Sequence, residues 1–549
     1  MKRYIKTIGI CLCGSLFCLS AALWTSCNDD FLNEVPKAEL GDDNVLTSVK
    51  GFEHYIISLH QFAKEELSGD DLRRFFNMFT GTDIITVGQL GEPIYRNYET
   101  FLTPDNDTSS RTWNWLYTSL IPYANNIIQN AEREDLKHIW KSEEERNAII
   151  AEAKFFRGYA YNILANLYGG VPIVDKFITT PKTDFVRASR QDVYEFIAGD
   201  LEFASTWLPT TVSKDKEGRI VKGAADHLLS EVYISLGQYD KAIKSATDVI
   251  DCGLYKLMTE RFGSEKSQPG DVFSDLFKQG NMNRSSGNLE TIYVWQYEEY
   301  TPGGAGTMNG NHMVRGALPF LVQLTDPNGK LGMSLHVDTL GRGVAIMRPT
   351  TYFLYNLWKG NWDNDMRNSK YNIKREFYYN NKSSAYFGKK VEPKTTPLDT
   401  LQRIYPYPRK VEGRAWQGNT TSGRTGKDFI VYRLAETYLL RAEAYLHKGD
   451  KTNAAKDINA VRSRAKAHPV SEGEIDIDYI LDERARELIL EEPRRRTLCR
   501  VGKLVERVKK YNMNEETRKT ISDKHNLYPI PQSAIDANFS VKLEQNPGY

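Results

Sequence analysis

Four of the nine tryptophans fall between residues 256 and 426, and two of them sit among side chains that hydrogen-bond. Trp362 lies in KGNWDNDMRN, between Asn361 and Asp363, with Asn364 and Asp365 next. Trp416 lies in EGRAWQGNTT, with Arg414 before it and Gln417 and Asn419 after it. A flat indole offers a stacking surface, while amides, carboxylates and guanidinium groups offer donors and acceptors. That combination suits a sugar ring, which has an apolar C–H face and a rim of hydroxyls. Trp295, in ETIYVWQYEEY, alternates as a strand does, so its face stays open. Trp358, in TTYFLYNLW, belongs to an apolar run and reads as core. The contact candidates from this region are Trp362, Trp416, Trp295, Asn361, Asp363 and Arg414.

Other chemistries are poorly represented. Asp363 and Asp365 mimic half of a calcium loop, but the Gly and Glu of that motif are absent. TPGGAGTMNG (Thr301–Gly310) lacks the Lys-Ser/Thr of a phosphate loop. Past residue 26 there is no CxxC and no HExxH. Of six cysteines only Cys252 and Cys499 lie beyond Cys27, and both read as buried thiols. DERARELILEEPRRR (Asp482–Arg496) reads as an ion-pair helix in which Glu483 and Glu487 reach Arg486 or Arg494. A glycosidase needs two carboxylates about 5–10 Å apart, and no block announces such a pair. The expectation is a binding protein with no catalytic residue, no metal and no cofactor.

The candidates need a scaffold, and the flanking sequence reads as helix pairs. In AADHLLSEVYISLGQYDKAIKSATDVIDCG (Ala224–Gly253), Leu228, Leu229, Val232, Tyr233 and Leu236 share one helical face. Leu236-Gly237 with Tyr239 and Ala242 matches a tetratricopeptide core, where Gly turns the chain and Ala permits close packing. Tyr432–Ala465 repeats the design with Ala442, Gly449, Ala454 and Ala455. Fainter pairs cover Trp115–Ala131 with Glu143–Tyr168, and Arg190–Leu208. From about Lys256 to Gly426 the helical period gives way to Gly, Asn and aromatics. Such an excursion inside a repeat array maps to one face, often the binding face.

Charge and the N-terminus set the context. The formal net charge is +1, and three positive charges, Lys2, Arg3 and Lys6, precede the apolar run Ile8–Leu23. A near-neutral chain has no overall electrostatic footprint for nucleic acid, and neutral sugars fit it better than polyanions, although net charge leaves a local basic patch open. The apolar run is short for a membrane span and has the flank of an export signal. Leu23-Trp24-Thr25-Ser26-Cys27 resembles the lipobox of bacterial lipoproteins, which implies cleavage before Cys27 and acylation of it. More than one acyl chain makes such anchoring stable. Asn28, Asp29 and Asp30 resemble an acidic tag for the outer leaflet of the outer membrane.

Five further blocks, in order, resemble the SusD/RagB family of outer-membrane nutrient-binding lipoproteins. They are AEAKFFRGYAYNILANLYGGVPIV (Ala151–Val174), Leu228–Leu257, YRLAETYLLRAEAYLHKG with INAVRSRA (Tyr432–Ala465), Ile480–Leu504, and YPIPQSAIDANFSVKLEQNPGY (Tyr528–Tyr549). The resemblance implies a mostly α fold of four tetratricopeptide-like helix pairs carrying a large, loop-rich insertion with short strands. It divides the chain into an export signal (1–26), a lipidated tether (27–45), a helical part (46–255), an aromatic-rich insertion (256–426) and a closing helical part (427–549). It implies a cell-surface protein that hands oligosaccharides to a SusC-like TonB-dependent transporter; a minority of the family takes peptides. By location alone it adds Asp83, Tyr95, Arg96 and Tyr98, from the loop Gly81–Asp107, as contact candidates. One of Trp113 and Trp115 is expected to pack.

Overall fold

Polar caps open the two longest helices of the array. Ser142 accepts the amide of Glu145, and Ser189 forms a capping box with Asp192. The array runs α1 (Ile121–Ala131), α2 (Glu143–Tyr168), α3 (Arg190–Trp207), α4 (Lys222–Ser235) and α5 (Tyr239–Ile250). It resumes with α6 (Leu434–His447), α7 (Lys451–Arg464) and α8 (Ile477–Leu488), followed by α9 (Arg494–Arg500) and α10 (Leu504–Tyr511). The computed structural model describes residues 45–68, 73–89, 95–301, 304, 310–334 and 341–549. The export run, Cys27, Asp29 and Asp30 lie outside the described residues. Glu53–Tyr549 forms one unit.

Each helix packs on the next from α1 to α7, and α5 packs directly on α6 although 183 residues, 251–433, separate them. The excursion therefore loops out of an otherwise continuous stack. Two pairs close with the same device. Gln238 N–H donates to Tyr233 O and Gly237 N–H to Ile234 O; Asp450 N–H donates to Tyr445 O and Gly449 N–H to Leu446 O. This pattern needs a left-handed residue, supplied by Gly237 (φ 70°) and Gly449 (φ 77°). Ala242, Ala246, Ala442 and Ala454 are fully buried, so neighbouring helices approach closely.

Three short antiparallel pairs tie the excursion down. β1 (Ile85–Val87) pairs with β3 (Met347–Pro349), β2 (Thr291–Trp295) with β6 (Phe429–Arg433), and β4 (Ile373–Lys374) with β5 (Tyr407–Pro408). The second pair closes the base of the excursion where it re-enters the array at α6.

A buried ion network locks α7 and α8 to that base. Arg367 bonds Asp365 at 2.7 Å, Glu483 at 2.8 Å and Glu487 at 2.9 Å, with all four side chains out of solvent. Arg433 bridges Glu290, Glu487 and Glu491, and Arg464 bonds Glu290 and Glu487. The ion-pair helix is thus a core element. Glu483 does pair with Arg486, but Arg494 turns away to Asp83. Cys499 is buried, which pushes its thiol up to about 11. Cys252 is exposed, contrary to expectation, because it lies where the chain leaves α5; both thiols are free.

Candidate functional site

Burial sorts the four tryptophans of the excursion. Trp358 is core, as its apolar run indicates. Trp295 is 3% exposed and stacks on Phe429 across the β2–β6 pair, with centroids 5.5 Å apart. Trp416 is also 3% exposed, and its indole fills the space above Gly310, where a Cβ would come within 2.5 Å of the ring. The expectation that Trp295 and Trp416 meet a ligand is therefore corrected: each closes a packing gap. Trp362 alone stands out, at 43% exposed.

The loop that carries Trp362 is fixed on both sides. Phe353, Leu354 and Trp358 anchor its start in the core. Gly360 turns the chain at φ 78°. Asn361 Oδ1 then accepts His468 N–H at 2.7 Å and the Asn364 amide at 3.1 Å, and Asn364 also donates to Lys466 O at 2.9 Å. Lys466 adopts φ 60° just past the end of α7, so the loop docks on a helix terminus. Asn368 donates to Trp362 O at 2.7 Å, and the next anchor is the buried Asp365–Arg367 pair.

This framing leaves two exposed rings stacked on each other. Tyr355 is 45% exposed, and its ring lies within 8° of parallel to Trp362 with centroids 6.1 Å apart. The Arg375 guanidinium sits 4.7 Å from the Trp362 ring, itself held by Leu354 O and Asn368 Oδ1. Asp363, the next residue in sequence, is exposed. Asn361 is half-buried and its carbonyl is spent on the loop, so only its N–H groups remain for a ligand. The arrangement offers exposed aromatic area on a preorganised loop.

The loop before the array behaves differently. Asp83 is fully buried and bonds Arg494 and Arg507 at 2.6 and 2.7 Å. Burial alone would raise its carboxyl, but the two guanidinium groups hold it well below the usual range. Tyr95 and Tyr98 are fully buried as well. Tyr95 bonds Tyr528 through the two hydroxyls and lies 3.7 Å under Arg495; Tyr98 donates to Gly81 O at 2.7 Å. These three expectations are corrected: the residues clamp the C-terminal block of the chain and are closed to ligand. Trp113 and Trp115 both pack.

Two predicted residues remain on surfaces. Arg96 donates to Gln89 O at 2.6 Å and lines a cavity of about 610 Å³ with Thr86, Val87, Leu401 and Met513. Arg414 is exposed and lines a separate cavity of about 250 Å³ with Gln279, Tyr371 and Glu412. The structure does not gather the ten predicted contacts into one site. Tyr355 and Arg375 escaped prediction; the signal available for Tyr355 was its proximity to Trp362 in sequence, hidden by the apolar run around it.

Comparison with known proteins gives a consistent picture. Residues 346–549 match the SusD family, and residues 30–234 match a family described as "Starch-binding associating with outer membrane". A SusD-like protein of Formosa agariphila is 25% identical over 475 residues, covering 81% of each chain. The solved structure of a SusD homolog from Bacteroides thetaiotaomicron superposes with a TM-score of 0.72 at 19% identity, covering 93% of this chain and 99% of that one. Surface glycan-binding protein A from the same organism, solved with laminarihexaose, superposes at 0.69 with 19% identity, covering 91% and 100%. With its helix-pair array and these matches at both ends, the chain belongs to the SusD/RagB family.

Proposed function

We propose that this protein captures oligosaccharides at the cell surface on the Tyr355–Trp362 platform and delivers them intact to a SusC-like TonB-dependent transporter. The observation that carries the reading is the pair of exposed, near-parallel rings on a loop pinned to α7. The family description of starch binding at the outer membrane and the laminarihexaose complex of a structural neighbour support it. Among the described residues no helix is long and apolar enough to cross a membrane. Retention at the outer membrane then falls to acyl chains on Cys27. An open platform buries little of a solvated sugar, so affinity is expected at roughly micromolar to millimolar.

Calorimetry against a glycan panel, with chromatography of the recovered ligand, tests this reading. Binding without product, lost at least tenfold in Trp362→Ala, supports it. Turnover, or silence on glycans with a response to peptides, overturns it. Cys27→Ala is expected to release the protein from the outer membrane, and a membrane-retained variant would refute the tether.

A further inference from the structure

Three arginines of the excursion lie on segments that touch, and among the described residues none of them has a carboxylate partner. Arg315 lies in the short helix Met313–Ala317, Arg342 in the segment leading to β3, and Arg424 in the Gly-rich turn after Trp416. Their backbones interlock. Arg315 N–H donates to Gly423 O at 2.9 Å, and Val344 N–H donates to Arg315 O at 2.8 Å. A Cβ at Gly423 would stand 2.3 Å from Arg342 O and 2.9 Å from Arg315 Cβ, so the three segments touch at a residue that has to be glycine.

All three side chains are partly exposed, and among the described residues none makes an ion pair. Arg315 Nη1 donates to Ser422 O at 3.2 Å. Arg342 lies over the Phe320 ring at 5.7 Å, with its Nε buried and unbonded. Partial burial lowers the pKa of Arg315, and the charges of Arg342 and Arg424 add to that lowering. Gathering uncompensated cations opposes folding, and a bound anion relieves that repulsion. A guanidinium fork matches the oxygens of a carboxylate or a sulfate in two-point fashion.

We propose that Arg315, Arg342 and Arg424 form an anion subsite for the carboxylate or sulfate ester of an acidic sugar, so that the glycan this protein takes is charged. The inference rests on the glycan-binding reading and deepens it. It also reverses the preference for neutral sugars drawn from net charge, because a whole-chain sum averages a local cluster away.

The test is calorimetry of the mature protein with three probes: a galacturonate oligosaccharide, a sulfated galactan fragment and neutral laminarihexaose. The expected result is at least tenfold tighter binding of one acidic probe. That advantage should be lost in Arg342→Gln and Arg424→Gln, and in wild type when sodium chloride rises from 50 to 500 mM. The two acidic arms distinguish carboxylate from sulfate. Melting temperatures of the variants check folding, and Arg424→Lys is the fallback that keeps the charge while losing the fork. Equal binding of neutral and acidic probes, unchanged in the Gln variants, overturns the anion subsite and leaves the glycan reading standing. No binding to any of the three, with binding of peptides, overturns both.

Discussion

Arg367 and Arg424 carry the same group in opposite surroundings. Arg367 is wholly buried and bonds three carboxylates, which raise its pKa far above the ordinary value against the pull of burial. Arg424 is half-exposed, and among the described residues it has no carboxylate partner. The first closes the structure on itself, because a buried charge is tolerable only when fully compensated. The second has no such compensation among the described residues, which is the opening the proposed anion subsite would use. Tryptophan repeats the lesson: Trp416 fills a gap over Gly310, while Trp362 stays 43% exposed. Residue type names the interaction a group can make, and burial decides whether the protein or a ligand makes it.

The largest effect should come from breaking the closed region. Arg367→Ala strands Asp365, Glu483 and Glu487 as buried, uncompensated carboxylates, and is expected to cost about 3–5 kcal/mol in urea unfolding. Loss of under about 1 kcal/mol would mean the network is open to water. Trp416→Ala is expected to cost a comparable 3–5 kcal/mol, as a large core deletion, with little direct change in ligand affinity. Trp362→Ala should do the reverse, weakening binding tenfold, about 1.4 kcal/mol, while the melting temperature holds. Arg424→Gln should leave stability within about 0.5 kcal/mol of wild type, since it removes a repulsive neighbour and, among the described residues, no side-chain bond. A large loss there would place Arg424 in the closed class.

Acid sharpens the same contrast. Burial would raise the Glu483 carboxyl, but Arg367, Arg486 and Arg462 outweigh it and hold the group down at about 2. Arg219 and His60 do the same for Glu152, also at about 2. Folded values below the ordinary 4.5 give stability that is fully present above that pH and is lost as pH falls toward 2. Denaturant midpoints measured from pH 6 to pH 2.5 should therefore fall steadily below about pH 4.5. A flat profile would contradict the closed network. Arginines do not titrate in that range, so binding of a sulfated probe at Arg315, Arg342 and Arg424 should persist while the fold survives.

The helical array was legible because its signals are local. Gly237 and Gly449 turn the chain, Ala242 and Ala454 allow close approach, and the faces of α4 and α6 repeat at the helical period. The lipobox-like run ending at Cys27 and the five family blocks are likewise patterns of neighbours in sequence. The ion-pair character of the α8 segment was readable too, since Glu483 and Arg486 share a helical face. Its partners were not, because Arg367, Arg433 and Arg464 arrive from distant segments.

Tertiary structure alone decided which candidates face outward. Asp83, Tyr95 and Tyr98 look like ligand contacts in an exposed loop, yet Arg494, Arg495 and Tyr528 fold back from the C-terminus and cover them. Trp295 and Trp416 look equal to Trp362 until Phe429 and Gly310 are packed against them. Arg315, Arg342 and Arg424 carry no shared motif and become a cluster only when their backbones meet at Gly423. The sequence by itself determined the family, the helix pairs and the kind of chemistry available, all set by short-range periodicity and residue type. Which side chains remain for a ligand depended on burial, a sum over contacts between residues hundreds of positions apart.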